Sequence, residues 1–184
     1  MKKRLICFTG APCSGKTVSM KLLGHMKGYR KLHIVHEAPS YLVNKGEGLH
    51  TFPTTPEEAD TFDRLIYTSR VYSTMEARRR EEDIIFFDRG TLDGYAYVDD
   101  FCEKMGTNVE DELARYDAVV LLQTLAFSGK YELDGNRWET PEQAIEIHKR
   151  LFKVYSQHKN FLMVSSESDT IRRVAQILEF IYTI

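Results

Sequence analysis

The eight residues Gly10-Ala11-Pro12-Cys13-Ser14-Gly15-Lys16-Thr17 constrain this chain more than any other stretch. They fit G-x-x-x-x-G-K-[ST] and follow directly on the apolar run Leu5-Ile6-Cys7-Phe8, the setting of a loop that cradles nucleotide phosphates. The glycines let the backbone turn tightly enough to aim its N–H groups into one concavity, and a helix opening near Lys16 adds its positive end. In this pattern Gly10, Ala11, Pro12, Cys13, Ser14, Gly15, Lys16 and Thr17 form the nucleotide-binding loop. Lys16 reaches the β- and γ-phosphates, and the Thr17 hydroxyl ligates Mg²⁺. Cys13 fills a free position of the pattern and reads as tolerated there.

A loop of this kind belongs behind a strand of a parallel sheet, and the rest of the chain alternates accordingly. Apolar runs predict strands at Lys3 to Thr9, Leu32 to His36, Asp83 to Phe87, Ala118 to Gln123 and Phe161 to Ser165. Between them lie predicted helices. The first runs from about Lys16 to Lys27, with Val18, Met20, Leu22, Leu23 and Met26 as its apolar side. Thr55-Pro56-Glu57-Glu58 and Thr140-Pro141-Glu142-Gln143 each combine a Thr cap, Pro at the first helical position and a capping-box partner. They open helices that run to about Glu82 and His158. Thr91 to Met105 and Glu110 to Tyr116 also read as helical, and Ile171, Val174, Ala175, Leu178 and Ile181 line a closing amphipathic helix.

Strand–helix alternation implies right-handed crossovers and a sheet covered on both faces, an α/β architecture. With 42% hydrophobic residues in 184, one core suffices, so the expectation is one domain over residues 1–184 with a lid at about 126–139. Sites in such sheets lie at the carboxyl ends of the strands, where Gly10, Glu37 and Asp88 fall.

Net charge is −2, which argues against nucleic acid or an anionic membrane as a partner and leaves capture of a small anion to local groups. The basic start Met1-Lys2-Lys3-Arg4 precedes too few apolar residues for a signal peptide or a membrane span. Cys7, Cys13 and Cys102 are odd in number and widely spaced, which fits free thiols in a reducing cytoplasm. The histidines lack the spacing of a zinc site.

Asp88 ends the run Ile84-Ile85-Phe86-Phe87, and a carboxylate at a strand tip beside a phosphate loop is placed to hold Mg²⁺. Its other reading is a helix cap. Arg89 is positioned to neutralise phosphate or orient an acceptor, against a plain surface ion pair. Glu37 ends the second strand and is the candidate base for an attacking hydroxyl or a carboxylate that helps position the metal, or else a helix cap. Lys130 and Arg137 flank a polar stretch that reads as a mobile arm over the nucleotide, with Arg137 the better phosphate fork, or as a solvated loop. Asn44-Lys45-Gly46-Glu47 falls too early in the topology to read guanine. Arg78-Arg79-Arg80 reads as a solvated helix end. Tyr67, Tyr72, Tyr95 and Tyr97 read first as core packing and second as the lining of an acceptor pocket.

The phosphate loop, Glu37-Ala38, Phe86-Phe87-Asp88-Arg89-Gly90, Asp93-Gly94, Asp134-Gly135-Asn136-Arg137 and Thr140-Pro141-Glu142 occur in this order. Taken together they resemble the AAA-type family of small NTPase/kinase-like proteins. That family is related to the ribosylnicotinamide kinase domain of the bacterial NAD regulator and, more distantly, to deoxynucleoside and thymidylate kinases. The resemblance spans nearly the whole chain. It implies a kinase-type core of strand order 2-3-1-4-5 with a lid over the donor, and a donor base near residues 165–170. Gly90 stands where well-characterised nucleoside and thymidylate kinases often carry Ser or Tyr.

The expected activity is Mg²⁺-dependent transfer of the γ-phosphoryl group of ATP or GTP to a small nucleoside- or nucleotide-like acceptor. Lys16, Glu37, Arg89 and Arg137 would be the catalytic groups, and Thr17 and Asp88 the metal ligands. A nucleotide-binding regulatory switch with no small-molecule acceptor is the other reading.

Overall fold

The computed structural model describes residues 3–25, 32–36, 53–131 and 139–184. Five strands, β1 (Arg4–Thr9), β2 (Leu32–Val35), β3 (Ile84–Asp88), β4 (Ala118–Leu122) and β5 (Phe161–Val164), form one parallel sheet in the order β2-β3-β1-β4-β5. This is the expected order. The central strands β1, β3 and β4 are buried on both faces, which is why they read as unbroken apolar runs.

Side chains alternate across the pleat, so one strand feeds two cores. Leu5, Cys7, Ile85, Phe87, Val119 and Leu121 face one layer. Ile6, Phe8, Phe86, Val120 and Leu122 face the other, where the Phe8 and Phe86 rings pack with centroids 4.8 Å apart. Helices α1 (Lys16–His25) and α6 (Thr170–Thr183) close the second layer with Met20, Leu23, Val174, Ile177 and Ile181. Helices α2 (Pro56–Arg79) and α5 (Pro141–Tyr155) close the first, together with a 3₁₀ segment, η1 (Thr91–Ala96), and two short helices, α3 (Phe101–Met105) and α4 (Val109–Leu113). Among the described residues no helix is long and apolar enough to cross a membrane.

Both predicted capping boxes form. Thr55 and Thr140 accept from the Glu58 and Gln143 amides, and those side chains bond back to the cap amides. Several boundaries differ from expectation. Helix α2 stops at Arg79, where Arg80 turns to extended backbone, and Arg79 and Arg80 pair with Glu76 and Glu82 at a solvated helix end. The continuous helix expected over Thr91 to Met105 is instead η1 and α3, because Asp100 takes a left-handed φ of 53° between them. The start of the expected lid is a 3₁₀ turn, η2 (Leu125–Ser128), and residues 132–138 lie outside the described ones. On α1 the buried face is Lys16, Ser19, Met20 and Leu23, while Val18 and Leu22 face outward. On α6 Ile171 is 81% exposed. The first turn of α6 sits beside strand ends and loop carbonyls, so the side chain buried there is Arg173.

Candidate functional site

β1 delivers Gly10 at the carboxyl edge of the sheet, with Thr9 opposite Leu121 of β4 and Phe8 opposite Asp88 of β3. A Cβ at Gly10 would lie 2.6 Å from Leu122 O and 2.7 Å from Ser14 Oγ, so only glycine fits this tight passage. Cys13 and Gly15 both take left-handed φ, 58° and 76°. At Cys13 that is a strained conformation of about 1 kcal/mol, held by its surroundings. The Leu125 amide donates to Cys13 O at 2.9 Å, and Thr124 Oγ1 donates to Pro12 O at 2.6 Å. The loop is therefore pinned from outside by the segment after β4.

Lys16 is buried, and its Nζ lies 2.7 Å from Asp88 Oδ1. The contact is an ion pair lying off the line of a directed hydrogen bond, so this buried carboxylate oxygen has no hydrogen-bond partner. Thr17 is exposed at the mouth of the loop. Lys16 and Asp88 thus meet at the carboxyl edge of the sheet, with Thr17 next to Lys16 in the chain.

The Asp88-Arg89-Gly90 turn is built around a carboxylate that sequence reading quoted only as part of a motif. Asp93, 1% exposed, accepts from Thr9 Oγ1 at 2.9 Å on both oxygens, the Gly90 amide at 2.9 Å, Tyr155 Oη at 2.8 Å and Arg89 Nη1 at 3.2 Å. Four donors satisfy the charge where water does not reach. Arg89 adopts a φ of 80°, and its amide bonds Phe8 O at 2.9 Å. Burial pushes the Tyr155 phenol and the Cys7 thiol well above their usual pKa values, and the Asp93 carboxylate adds to both shifts. Both groups stay protonated, so Cys7 is a core residue rather than a nucleophile.

On the β2 side, Val35, His36, Arg70, Ser73, Phe87, Asp88, Arg89 and Tyr116 border a narrow gap of about 10 Å³, and Arg70 Nε is buried there without a hydrogen-bond partner. On the other side of the loop a cavity of about 370 Å³ lies between Gly15, Leu125, Lys130 and residues 166–170. Two of the expected catalytic residues, Glu37 and Arg137, lie outside the described residues. Of the tyrosines, Tyr67 and Tyr95 pack on the core while Tyr72 and Tyr97 are exposed. Tyr67 donates to Glu112, a fully buried carboxylate that also accepts from Thr107 and Arg115. Sequence reading also missed Arg173, which bonds the phosphate loop from α6. The spacing D-R-G-x-x-D offered a signal for Asp93, since an acid three residues after a cap position closes a turn. No local signal marks Arg173 or Arg70.

The sequence matches the model of a family described as AAA domain over residues 5–172. No curated protein matches the chain significantly in sequence. Among solved structures, the chain is similar to the deoxyadenosine kinase of M. mycoides with bound dATP. The TM-score is 0.60 at 16% identity, over 97% of this chain and 99% of that one. The same kinase with the products dCMP and a flexible dCDP gives a TM-score of 0.63 at 16% identity, over 98% of this chain and 100% of that one. The likeness extends over the full length of both chains, and at this identity it is a likeness of fold.

Proposed function

This chain belongs to the AAA domain family, and we propose that within it the protein is a phosphotransferase moving the γ-phosphoryl group of ATP or GTP to a hydroxyl of a small nucleoside- or nucleotide-like molecule. The observation that carries this reading is Lys16, at the start of α1, paired with Asp88 at 2.7 Å at the tip of β3, with Arg89 and the unpartnered Arg70 Nε beside Asp88. The kinase fold of the structural neighbours, one of which binds dATP, supports the same reading.

Lys16 and the loop amides would hold the donor phosphates, and Arg89 would face the acceptor side and stabilise charge on the moving group. Glu37 would accept the proton of the attacking hydroxyl as its oxygen bonds to the γ-phosphorus and the nucleoside diphosphate leaves. Arg137 would close over the donor from the lid. Asp88 Oδ1, buried and without a hydrogen bond, fits Mg²⁺ together with the Thr17 hydroxyl. A bound ion there would neutralise donor phosphate charge.

The test is turnover of ATP and GTP with Mg²⁺, first alone and then with pools of nucleosides, nucleotides and ribosylated pyridines. A pool that raises nucleoside-diphosphate release and yields a phosphorylated product supports the kinase and narrows its acceptor. Tight nucleotide binding with negligible turnover in every pool refutes it in favour of a regulatory switch.

A further inference from the structure

Behind the phosphate loop the chain buries an arginine that forms no ion pair among the described residues. Arg173 is 4% exposed, and its guanidinium spreads over three carbonyls. Nε donates to Ser165 O at 2.9 Å, Nη1 to Ser14 O at 2.8 Å and Nη2 to Gln123 O at 3.3 Å. Those carbonyls belong to the end of β5, the phosphate loop and the end of β4. Among the described residues no carboxylate forms an ion pair with Arg173, and the nearby Asp169 pairs with Arg172 instead. Burial draws the guanidinium pKa down from its usual value, yet arginine keeps its proton in proteins. A buried cation of this kind ordinarily has an anionic partner. The anion that this loop is shaped to take is a phosphate.

The Ser14 carbonyl and the Gly15 N–H share one peptide. It is trans, so the two groups point in opposite directions. With the carbonyl held outward by Arg173, the Gly15 N–H is turned toward the concavity of the loop. Sterics alone do not fix this orientation, because glycine moves freely between conformations. The neighbouring Pro12 and Cys13 carbonyls are held outward by Thr124 and Leu125. Arg173 is the third anchor, and it alone brings charge.

We propose that Arg173 is a positioning residue for donor binding, which holds the Ser14–Gly15 peptide with its N–H facing the phosphates of a nucleoside triphosphate and locks that orientation to the ends of β4 and β5. The proposal rests on the loop being the triphosphate site. Its test is calorimetric titration of Mg–ATP and Mg–GTP into the full chain as wild type, Arg173→Met and Arg173→Lys, with the Gly15 amide followed by NMR. The wild type is expected to bind, with a downfield shift of the Gly15 amide proton. Arg173→Met is expected to bind roughly ten- to hundredfold more weakly, the worth of one hydrogen bond to a charged acceptor, and to lose the shift. Arg173→Lys keeps the charge but offers one donor atom for three carbonyls, so it should fall between them, and it carries the test if Arg173→Met does not fold. A variant with wild-type affinity overturns the proposal. Weaker binding with the Gly15 shift intact also overturns it, because charge alone would then account for the loss. A wild type that binds neither nucleotide overturns the triphosphate reading of the loop, and this proposal with it.

Discussion

Gly90→Ala tests how tightly the turn carrying Asp88 and Arg89 is packed. Gly90 has a φ of −102°, which any residue adopts, so the demand for glycine here is one of space. An added Cβ would overlap Tyr155 Oη, and would lie 2.6 Å from Cys7 Sγ and 3.2 Å from Tyr155 Cζ. Tyr155 and Cys7 are both fully buried, and the phenol cannot swing aside without giving up its 2.8 Å bond to the buried Asp93 carboxylate. Overpacking by one methyl costs about 1–3 kcal/mol, and losing a hydrogen bond to a charged group costs about 1.5–3 kcal/mol. The two escapes are alternatives and the cheaper one is taken, so the expected loss is about 1–3 kcal/mol, or roughly 2–12 °C in melting temperature for a chain of this size. Urea unfolding of Gly90→Ala, Tyr155→Phe and the double variant measures it. Removing Oη opens the worst contact, so the double variant should be more stable than the summed single losses by at least ~1 kcal/mol. A Gly90→Ala protein within ~0.5 kcal/mol of wild type, or strictly additive losses, refutes the packing argument.

Lys16→Ala should abolish measurable phosphoryl transfer and weaken triphosphate binding by tenfold or more, read by product formation and titration, since it removes the buried cation at the loop. Asp88→Asn should retain nucleotide binding in the absence of divalent ions but lose the Mg²⁺ dependence of affinity, a comparison made in EDTA and in Mg²⁺. Glu112→Ala should cost about 3–5 kcal/mol by urea unfolding, because it strands Arg115, Tyr67 and Thr107 around an emptied buried position. Burial lowers the His148 pKa from 6.5 to about 4. The folded state therefore holds the imidazole neutral while the unfolded chain takes up a proton below pH 6.5. Stability present above that pH should decline from 6.5 toward 4, by up to ~3 kcal/mol. His148→Phe should flatten that part of the melting-temperature profile, and an unchanged slope would count against it.

Residues that act through their neighbours in sequence were legible. The apolar runs at Leu5, Ile84 and Ala118 announce strands buried on both faces, and the capping boxes at Thr55 and Thr140 form as their residue types require. Alternation of strands and helices gives a parallel sheet but not its order, which the family resemblance supplied. Reading failed where one residue breaks a pattern that otherwise continues. Asp100 in a left-handed conformation splits the segment from Thr91 to Met105, and its own residue type does not require that. Counting apolar residues placed Ile171 on the buried side of α6 because the count assumes a hydrocarbon neighbour. The first turn of that helix meets carbonyls instead, and there an arginine fork is the side chain that packs.

The same contrast divides the site. Gly10, Lys16, Thr17 and Asp88 follow from spacing and strand ends, because each acts at its own place in the chain. What holds them is contributed from far along the sequence, by Asp93 to Thr9, Tyr155 to Asp93 and Arg173 to Ser14. Asp93 links both halves of the site, since it bonds Thr9 just before the phosphate loop and Gly90 and Arg89 just after the Asp88 carboxylate. A displacement of that buried carboxylate would disturb Thr9, ahead of the phosphate loop, and the Asp88–Gly90 turn together. The end of β1 that leads into the Lys16 loop and the tip of β3 that bears Asp88 are therefore tied through one buried carboxylate, so the 2.7 Å Lys16–Asp88 pairing depends on the core beneath as well as on the two side chains.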